Sequence, residues 1–472
     1  MTHATPLSRR SLLKAGAAFA AAPILAPLAA AAQTSAPLTL RAGKSSTALR
    51  PAPYGLTDVW SYNGSTPGPE IRVKQGERVR IMASNALDEP TTIHWHGIRT
   101  PNAMDGVGGL TQAPIEKGGE FLYEFDALDA GTFWYHPHQR SFEQVGRGLY
   151  GPLIVEEADP VQVDREVTWM LDDWRMTNEG QLDDSFGSRH DAAHGGRIGN
   201  TVTINGEIPD RIAVQSGERI RLRLINAANA RIFGLQFGGL SPVVIAMDGQ
   251  PVTPHTPPDE VVVLGPAMRV DLILDMSGKA GDTTIVSDIF YEELEYELVK
   301  LAYGPTALRD AAPDWPMTLT PNPLSEPDIA AATRHQIVFN GGMMGQMMMG
   351  ADRGAMMEQI RQGSMWFING KAAMDHLAAP LLSLPLGSSH IFEMENSTGW
   401  PHPIHFHGHS FRVIARNGRP TPHQEWQDTV MMAPEERVEI AFVADNPGDW
   451  MFHCHILEHQ AAGMMGFVRV EV

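Results

Sequence analysis

The amino-acid sequence predicts an all-β protein of three tandem β-sandwich domains, and three observations lead there. The chain has 472 residues, which at roughly 150 residues per domain suggests about three domains. It holds 45 Gly and 35 Pro against 19% charged residues, with many short alternating runs. That profile suits a turn-rich β protein. The third observation is a repeated strand motif. Val73-Lys74-Gln75-Gly76-Glu77-Arg78-Val79-Arg80-Ile81 opens a strand ending at Asn85, and Val214-Gln215-Ser216-Gly217-Glu218-Arg219-Ile220-Arg221-Leu222 opens one ending at Asn226. A weaker copy runs from Gly387 through His390-Ile391-Phe392 to Asn396. The Gly-to-Asn spacing is the same in all three. An Asn-Gly turn pair precedes each copy: Asn63-Gly64, Asn205-Gly206 and Asn369-Gly370. Self-similarity on the order of 150 residues signals tandem domains, not a solenoid.

Residues 1–32 read as a twin-arginine export signal. Ser8-Arg9-Arg10-Ser11-Leu12-Leu13-Lys14 is followed by an apolar Ala/Leu/Pro run to Ala32. Cleavage near Ala31 or Ala32 leaves a mature chain from Gln33; the competing reading is an uncleaved amphipathic helix. This route carries proteins that fold before export, so the mature chain is expected in the periplasm. The signal carries three cations (Arg9, Arg10, Lys14) and no acid, so without it the formal charge of -19 becomes -22. So acidic a chain is a poor nucleic-acid binder, and the charge serves solubility. No stretch of the mature region approaches a membrane span, and a monomer is expected. Domain one is placed at 33–158, with a soft boundary at Glu156–Pro160, and domain two at 159–304. Residues 305–328 hold six prolines and read as a linker. Domain three is placed at 329–472.

Aligning the copies locates the chemistry. Nine and eleven residues past the repeat Asn lie His94 and His96 in copy one and His405 and His407 in copy three; copy two has Leu235 and Phe237. A second register starts from a glycine. Gly131 leads to His136 and His138, Gly448 to His453 and His455, and Gly281 to Val286 and Asp288. The middle copy thus repeats the architecture without ligands, which argues for a metal cluster shared by the first and last domains. Strand side chains alternate faces, so each His-x-His pair puts two imidazoles on one side. One such pair is weak evidence, but four clusters recur in register. Zinc wants four ligands, and eight imidazoles exceed that need.

Cys454 is the sole cysteine, so no internal disulfide can form. Strand alternation sends it to the face opposite His453 and His455. His402 lies three residues before His405 and therefore faces the Cys454 side. Cys454, His402, His459 and Met464 form a thiolate–imidazole set with a weak axial thioether, the coordination of blue copper. The other eight histidines form a second site. His409 and His423 are expected beside the sites as loop or shell residues, with His190, His194 and His255 solvated.

Four motifs carry a resemblance: HWHG at 94–97, HPH at 136–138, HPIHFHGHSF at 402–411 and HCHILEHxxxGMM at 453–465. Over essentially the whole mature chain the sequence resembles the three-domain multicopper oxidases, the family of laccases and bacterial cuprous oxidases. The resemblance implies three cupredoxin-like Greek-key sandwiches and four copper ions. Type 1 copper would be held by His402, Cys454 and His459 with Met464 axial, and type 2 by His94 and His405. One type 3 copper would take His96, His136 and His455, the other His138, His407 and His453. The implied reaction takes single electrons from a reductant at type 1 copper. They pass through Cys454 to His453 and His455, and four of them reduce O2 to two waters. The family places an acid near the cluster, and Asp105 matches it. A second acid commonly follows the type 1 histidine, where this chain departs with Gln460.

The reductant is addressed by a Met-rich segment at 341–357, which holds seven of the 24 methionines. Thioethers are soft ligands that select Cu(I). Met343, Met344, Met347, Met348 and Met349 with Asp352 resemble the Met-rich segment of bacterial cuprous oxidases of copper tolerance. Ordinary packing is the competing reading, because Met fills irregular gaps and some of these residues have helical spacing. Those oxidases also place an Asp and a Met just upstream of the first type 1 histidine, where this chain has Thr398 and Trp400. The expected activity is cuprous oxidation, with laccase-like oxidation of phenolic or other small organic reductants as the alternative. A non-catalytic copper-binding or scaffold protein is the third reading; scaffold relatives lose ligands, and here none is missing.

Overall fold

The computed structural model describes residues 36–342, 363–373 and 378–472. Residues 1–32, read above as an export signal, lie outside the described residues, as do Met343, Met344, Met347, Met348, Met349 and Asp352. Strands dominate, and the helices Ser141–Gln144, Arg189–Ala193 and Leu457–Ala461 are four or five residues long. No helix among the described residues is long and apolar enough to cross a membrane.

Each copy of the repeat folds as two sheets around its own apolar core. In the first, one sheet runs in the order Thr57–Tyr62, Leu38–Thr47, Arg78–Asn85, Glu120–Asp126. The other runs Ile71–Lys74, Gly151–Glu156, Gly131–His136, His94–His96. The second copy has sheets of six and five strands between Arg165 and Tyr303, and the third has seven and five between Thr333 and Glu471. The motif strand pairs in parallel with the first strand of its domain all three times, as in Leu38↔Ile81, Arg165↔Ile220 and Thr333↔His390.

The repeated asparagines are braces. Asn63, Asn205 and Asn369 take φ of 54°, 54° and 51°, and the glycines after them are also positive. Two successive positive φ angles are what a tight reversal needs, and Asn-Gly supplies them with little strain. Each of these side chains hydrogen-bonds the first strand of its domain, through Arg41, Met170 and Val338 backbone N–H donors. Asn85, Asn226 and Asn396 close the motif strand. Their amides donate to carbonyls of Ile115, Leu264 and Ala433. Asn396 Nδ2 also donates to Trp400 and its Oδ1 accepts from the Thr398 N–H, which fixes the approach to His402.

Residues 304–332 contain no strand, yet they are held down. Leu319 is buried with Ile245 and Ile273 of the middle domain. Asn322 bonds the Ala130 backbone and Gln250, tying the first two domains together.

Candidate copper centres

Strand parity places the ligands. In the first domain Trp95 and Tyr135 point into the sandwich core, so His94, His96 and His136 point out of it. The strands lie antiparallel with His94 opposite His136. In the third domain Ile404, Phe406, Phe452 and Cys454 point into the core, and His405 lies opposite His453. His405, His407, His453 and His455 therefore leave the third domain on the side that meets the first. Cys454 and His402 stay within the third domain.

The middle domain differs by more than residue identity. Phe233, Leu235 and Phe237 point into its core, as does Val286. Leu235 lies opposite Asp288, two residues beyond the partner that the glycine spacing selects, and the strand bearing Asp288 carries a bulge at Val286/Ser287. Leu235, Phe237 and Val286 thus face inward in copy two, whereas the histidines they match by counting face outward in copies one and three.

The smaller donor set is compact and fully buried. Cys454 Sγ lies 3.5 Å from His402 Nδ1 and 3.9 Å from His459 Nδ1, and the two Nδ1 atoms are 3.2 Å apart. His459 Nε2–H donates to the His194 carbonyl at 2.6 Å. A carbonyl only accepts, so this bond fixes the tautomer and leaves Nδ1 a lone pair. Thr398 Oγ1 donates to Asn396 Oδ1 and can accept from His402 Nε2, 2.8 Å away, with the same result. The Ile456 N–H points at the sulfur at 3.4 Å. Met464 is buried in the same core, its carbonyl accepting the Cys454 N–H. The Trp366 ring lies against His459 and edge-on to His402.

The larger set brings the other eight histidines together. Their donor atoms fall into groups within 4.8 Å: His94, His96 and His405; His96, His136 and His455; His138, His407 and His453. Backbone carbonyls orient four rings. His94 Nδ1–H donates to Asp105, His136 to Pro137, His405 to Asp428 and His453 to Cys454, at 2.7–3.0 Å. His407 Nδ1–H donates to Asp105 Oδ2 at 2.9 Å. The lone pairs of His407 Nε2 and His453 Nε2 then face each other at 3.1 Å. Asp105 thus supports one ligand from the first domain and one from the third. Gln460 lies 3.3 Å from His138 Nε2 and accepts from the Ser141 hydroxyl. Both border a cavity of about 310 Å³ that also touches His138.

Electrostatics agree with a cation-binding role. Burial, with help from neighbouring imidazoles, holds His96, His136, His138, His402, His407, His453 and His455 well below their ordinary pKa. Burial likewise takes His459 down to about 3 and pushes the Cys454 thiol up. Neutral imidazoles are the form that binds metal. His94 Nε2, His96 Nδ1, His136 Nε2, His405 Nε2 and both His455 nitrogens are buried without a protein partner. Buried polar atoms are normally satisfied; here the orphans converge from both domains on one place. Imidazole suits copper, and thiolate and thioether are soft donors for it. The residues present fit copper.

Some functional neighbours had no sequence signal. Asp428 sits 3.2 Å from His96 Nε2 and 3.4 Å from His405 Nδ1, and Arg269 of the middle domain pairs with it. Burial works against the Asp428 carboxylate, but Arg269 holds its pKa below the usual range. Burial and Asp428 push Asp248 up to about 7. His190 is exposed as expected, whereas His423, expected beside the sites, is exposed and stacks on the half-buried His255. His409 is buried against Phe406 and bonded to the His407 carbonyl. His194 enters the smaller set through its carbonyl.

Comparison with known proteins agrees with the geometry. Multicopper oxidase family models match residues 45–160, 165–302 and 349–472. The chain belongs to the multicopper oxidase family and is a copper-dependent oxidoreductase. Its relatives include the multicopper oxidase MmcO of Mycobacterium tuberculosis, 31% identical over 87% of this chain and 82% of that one. A multi-copper oxidase from Pseudomonas thermotolerans superposes with a TM-score of 0.81 at 34% identity, over 92% of this chain and 99% of that one. The Campylobacter jejuni multicopper oxidase, described as a metallo-oxidase, gives 0.78 at 28% identity over 92% and 91%.

Proposed function

We propose that the mature chain is a periplasmic cuprous oxidase, exported folded by its twin-arginine signal, that couples four one-electron oxidations to reduction of O2 to water. His402, Cys454, His459 and Met464 would hold type 1 copper. His94 and His405 would hold type 2. His96, His136 and His455 would hold one type 3 ion, and His138, His407 and His453 the other. When bound, these ions supply one-electron redox chemistry at the first site and dioxygen chemistry at the second.

The observation that carries the reading is the continuous strand joining both donor sets. Cys454 points into the third domain, while His453 and His455 on either side point out to the eight-histidine cluster. A short covalent path therefore links the sulfur to two ligands of the other site. Asp105 accepts from His407 and His94 in the cluster wall, where an acid could pass on a proton. Gln460 stands where a proton-carrying side chain would serve the His138 side, and a carboxamide cannot fill that role.

Cu(I) is favoured as reductant by the methionines between 343 and 357 and by the metallo-oxidase description of the Campylobacter relative. Thr398 and Trp400 favour the second reading, a laccase-like oxidase of phenolic reductants. A visible spectrum of the copper-loaded protein tests the oxidase: absence of the intense blue thiolate band would leave a non-catalytic copper binder. Steady-state rates with Cu(I) and a phenol, before and after deletion of 341–357, test the reductant. Selective loss of Cu(I) turnover supports the cuprous reading, and equal loss of both rates, or none, removes it.

A further inference from the structure

The middle domain supplies no ligand, yet it reaches the back of the eight-histidine cluster. Asp428 lies between the strands Trp426–Gln427 and Thr429–Met432 and is 1% exposed. It touches one ligand from each ligand-bearing domain. Its Oδ1 is 3.2 Å from His96 Nε2, and its carbonyl accepts His405 Nδ1–H at 2.8 Å. Thr429 Oγ1 donates to the same carboxylate at 2.8 Å and lies 3.1 Å from His96 Nε2. With the Nε2 proton of His96 committed to this pair, Nδ1 keeps a free lone pair, and Nδ1 is the buried orphan on that ring.

Two middle-domain residues hold Asp428 in place. Arg269 donates Nη1–H to Oδ1 at 2.8 Å and Nη2–H to Oδ2 at 2.5 Å. Its Nε–H reaches the Thr132 carbonyl of the first domain at 3.2 Å. Asp248 accepts backbone N–H bonds from Arg269 at 2.9 Å, Asp428 at 3.2 Å and Thr429 at 3.0 Å. The first copper motif makes room for this assembly. A Cβ on Gly97 would sit 2.3 Å from Arg269 Nη2 and 2.6 Å from Asp428 Oδ2, at a φ of +85° that side chains avoid. The glycine of His94-Trp95-His96-Gly97 is the notch that admits the ion pair.

Net stability is a poor reason for such a pair, since desolvating both charges offsets most of their attraction. Orientation is a better one, because outer partners of metal-bound histidines set ring tautomer and direction. We infer that Asp428, clamped by Arg269 and Asp248, is a positioning residue for His96 and His405. The ligand-free domain is then a working part of the larger copper centre. This rests on the copper reading of that cluster.

The experiment uses the copper-loaded full protein and the variants Asp428→Asn, Arg269→Met and Arg269→Lys. The blue band of the Cys454 site serves as an internal measure of folding, because that site touches none of these residues. Asp428→Asn and Arg269→Met should keep the blue band while chelator competition shows the cluster copper bound about 10–100-fold more weakly. The type 2 electron paramagnetic resonance signal should shift, and Arg269→Lys, which keeps the cation, should recover part of both losses. Wild-type copper retention with an unchanged type 2 signal in Asp428→Asn and Arg269→Met overturns the inference. So does parallel loss of the blue band in all three, which would make the clamp a general folding element. A wild-type protein that binds no copper overturns the proposed function itself.

Discussion

The middle domain and its two neighbours share a strand plan and differ in which way the plan faces. At the position nine residues past the repeat Asn, His94 and His405 leave their sandwiches, while Leu235 enters its own. The ligand-free copy is therefore a shifted version of the others, not a bleached one, and its matched positions feed an ordinary apolar core. Its polar investment lies elsewhere. Arg221, Arg223, Arg231 and Arg269 are all buried and bonded, and three of the four reach side chains or carbonyls outside the middle domain. Domains one and three carry the candidate metal donors, and domain two bonds side chains of both, Arg223 to Thr132 and Arg269 to Asp428.

The comparison is tested most severely at Cys454. Cys454→Ser should abolish the blue band and steady-state oxidase activity, while metal analysis finds the histidine cluster still loaded, three coppers per chain in place of four. Loss of all copper would show that the two donor sets do not assemble independently. Leu235→Ala asks the opposite question at the count-matched position. Truncating a fully buried leucine should lower unfolding stability by about 2–5 kcal/mol, measured by denaturant titration, with copper content and the blue band unchanged in the folded protein. A copper deficit without that destabilisation would mean that Leu235 plays a ligand-side role after all.

Much of this was legible because period-two patterning and ligand chemistry leave marks in sequence. Strand alternation puts Cys454 and His402 on one face and His453 and His405 on the other, as the strands have them, with His455 just past the strand end. The Asn-Gly pairs and the Gly-to-Asn spacing marked turns and braces that recur in all three domains. The counting failed in the middle copy, where the bulge near Val286 and the face of Leu235 depend on loop geometry that spacing does not record. Asp428, Arg269 and Asp248 were illegible for another reason. Arg269 opens a strand while Asp248 and Asp428 sit in breaks between strands, in two different domains, and an isolated Asp or Arg carries no period or motif until the fold brings it beside a candidate metal ligand. Thr398 is intermediate: the sequence shows it standing where an acid is expected, and its bond to His402 Nε2 appears only in three dimensions.

The smallest effect is expected where the middle domain grips the first without approaching copper. Glu166 accepts from Arg72 of the first domain at 2.9 Å and from Arg223 at 2.8 Å. Burial tends to raise its pKa, but Arg223, Arg221 and Arg72 outweigh that and lower it from 4.5 to about 2. A carboxylate with a depressed folded pKa adds stability above its unfolded value of about 4.3, and that stability drains away as pH falls towards 2. With a quarter of the side chain exposed, the contribution should be about 1–2 kcal/mol after allowance for solvent screening. Glu166→Gln should therefore lower the unfolding midpoint by a few degrees near pH 7, and the gap to wild type should narrow steadily between about pH 4.3 and pH 2. Copper content and the blue band should not change at neutral pH. A gap that persists undiminished at pH 2 would assign the loss to packing, and a copper deficit at neutral pH would show that this end of the interface, too, bears on the metal centre.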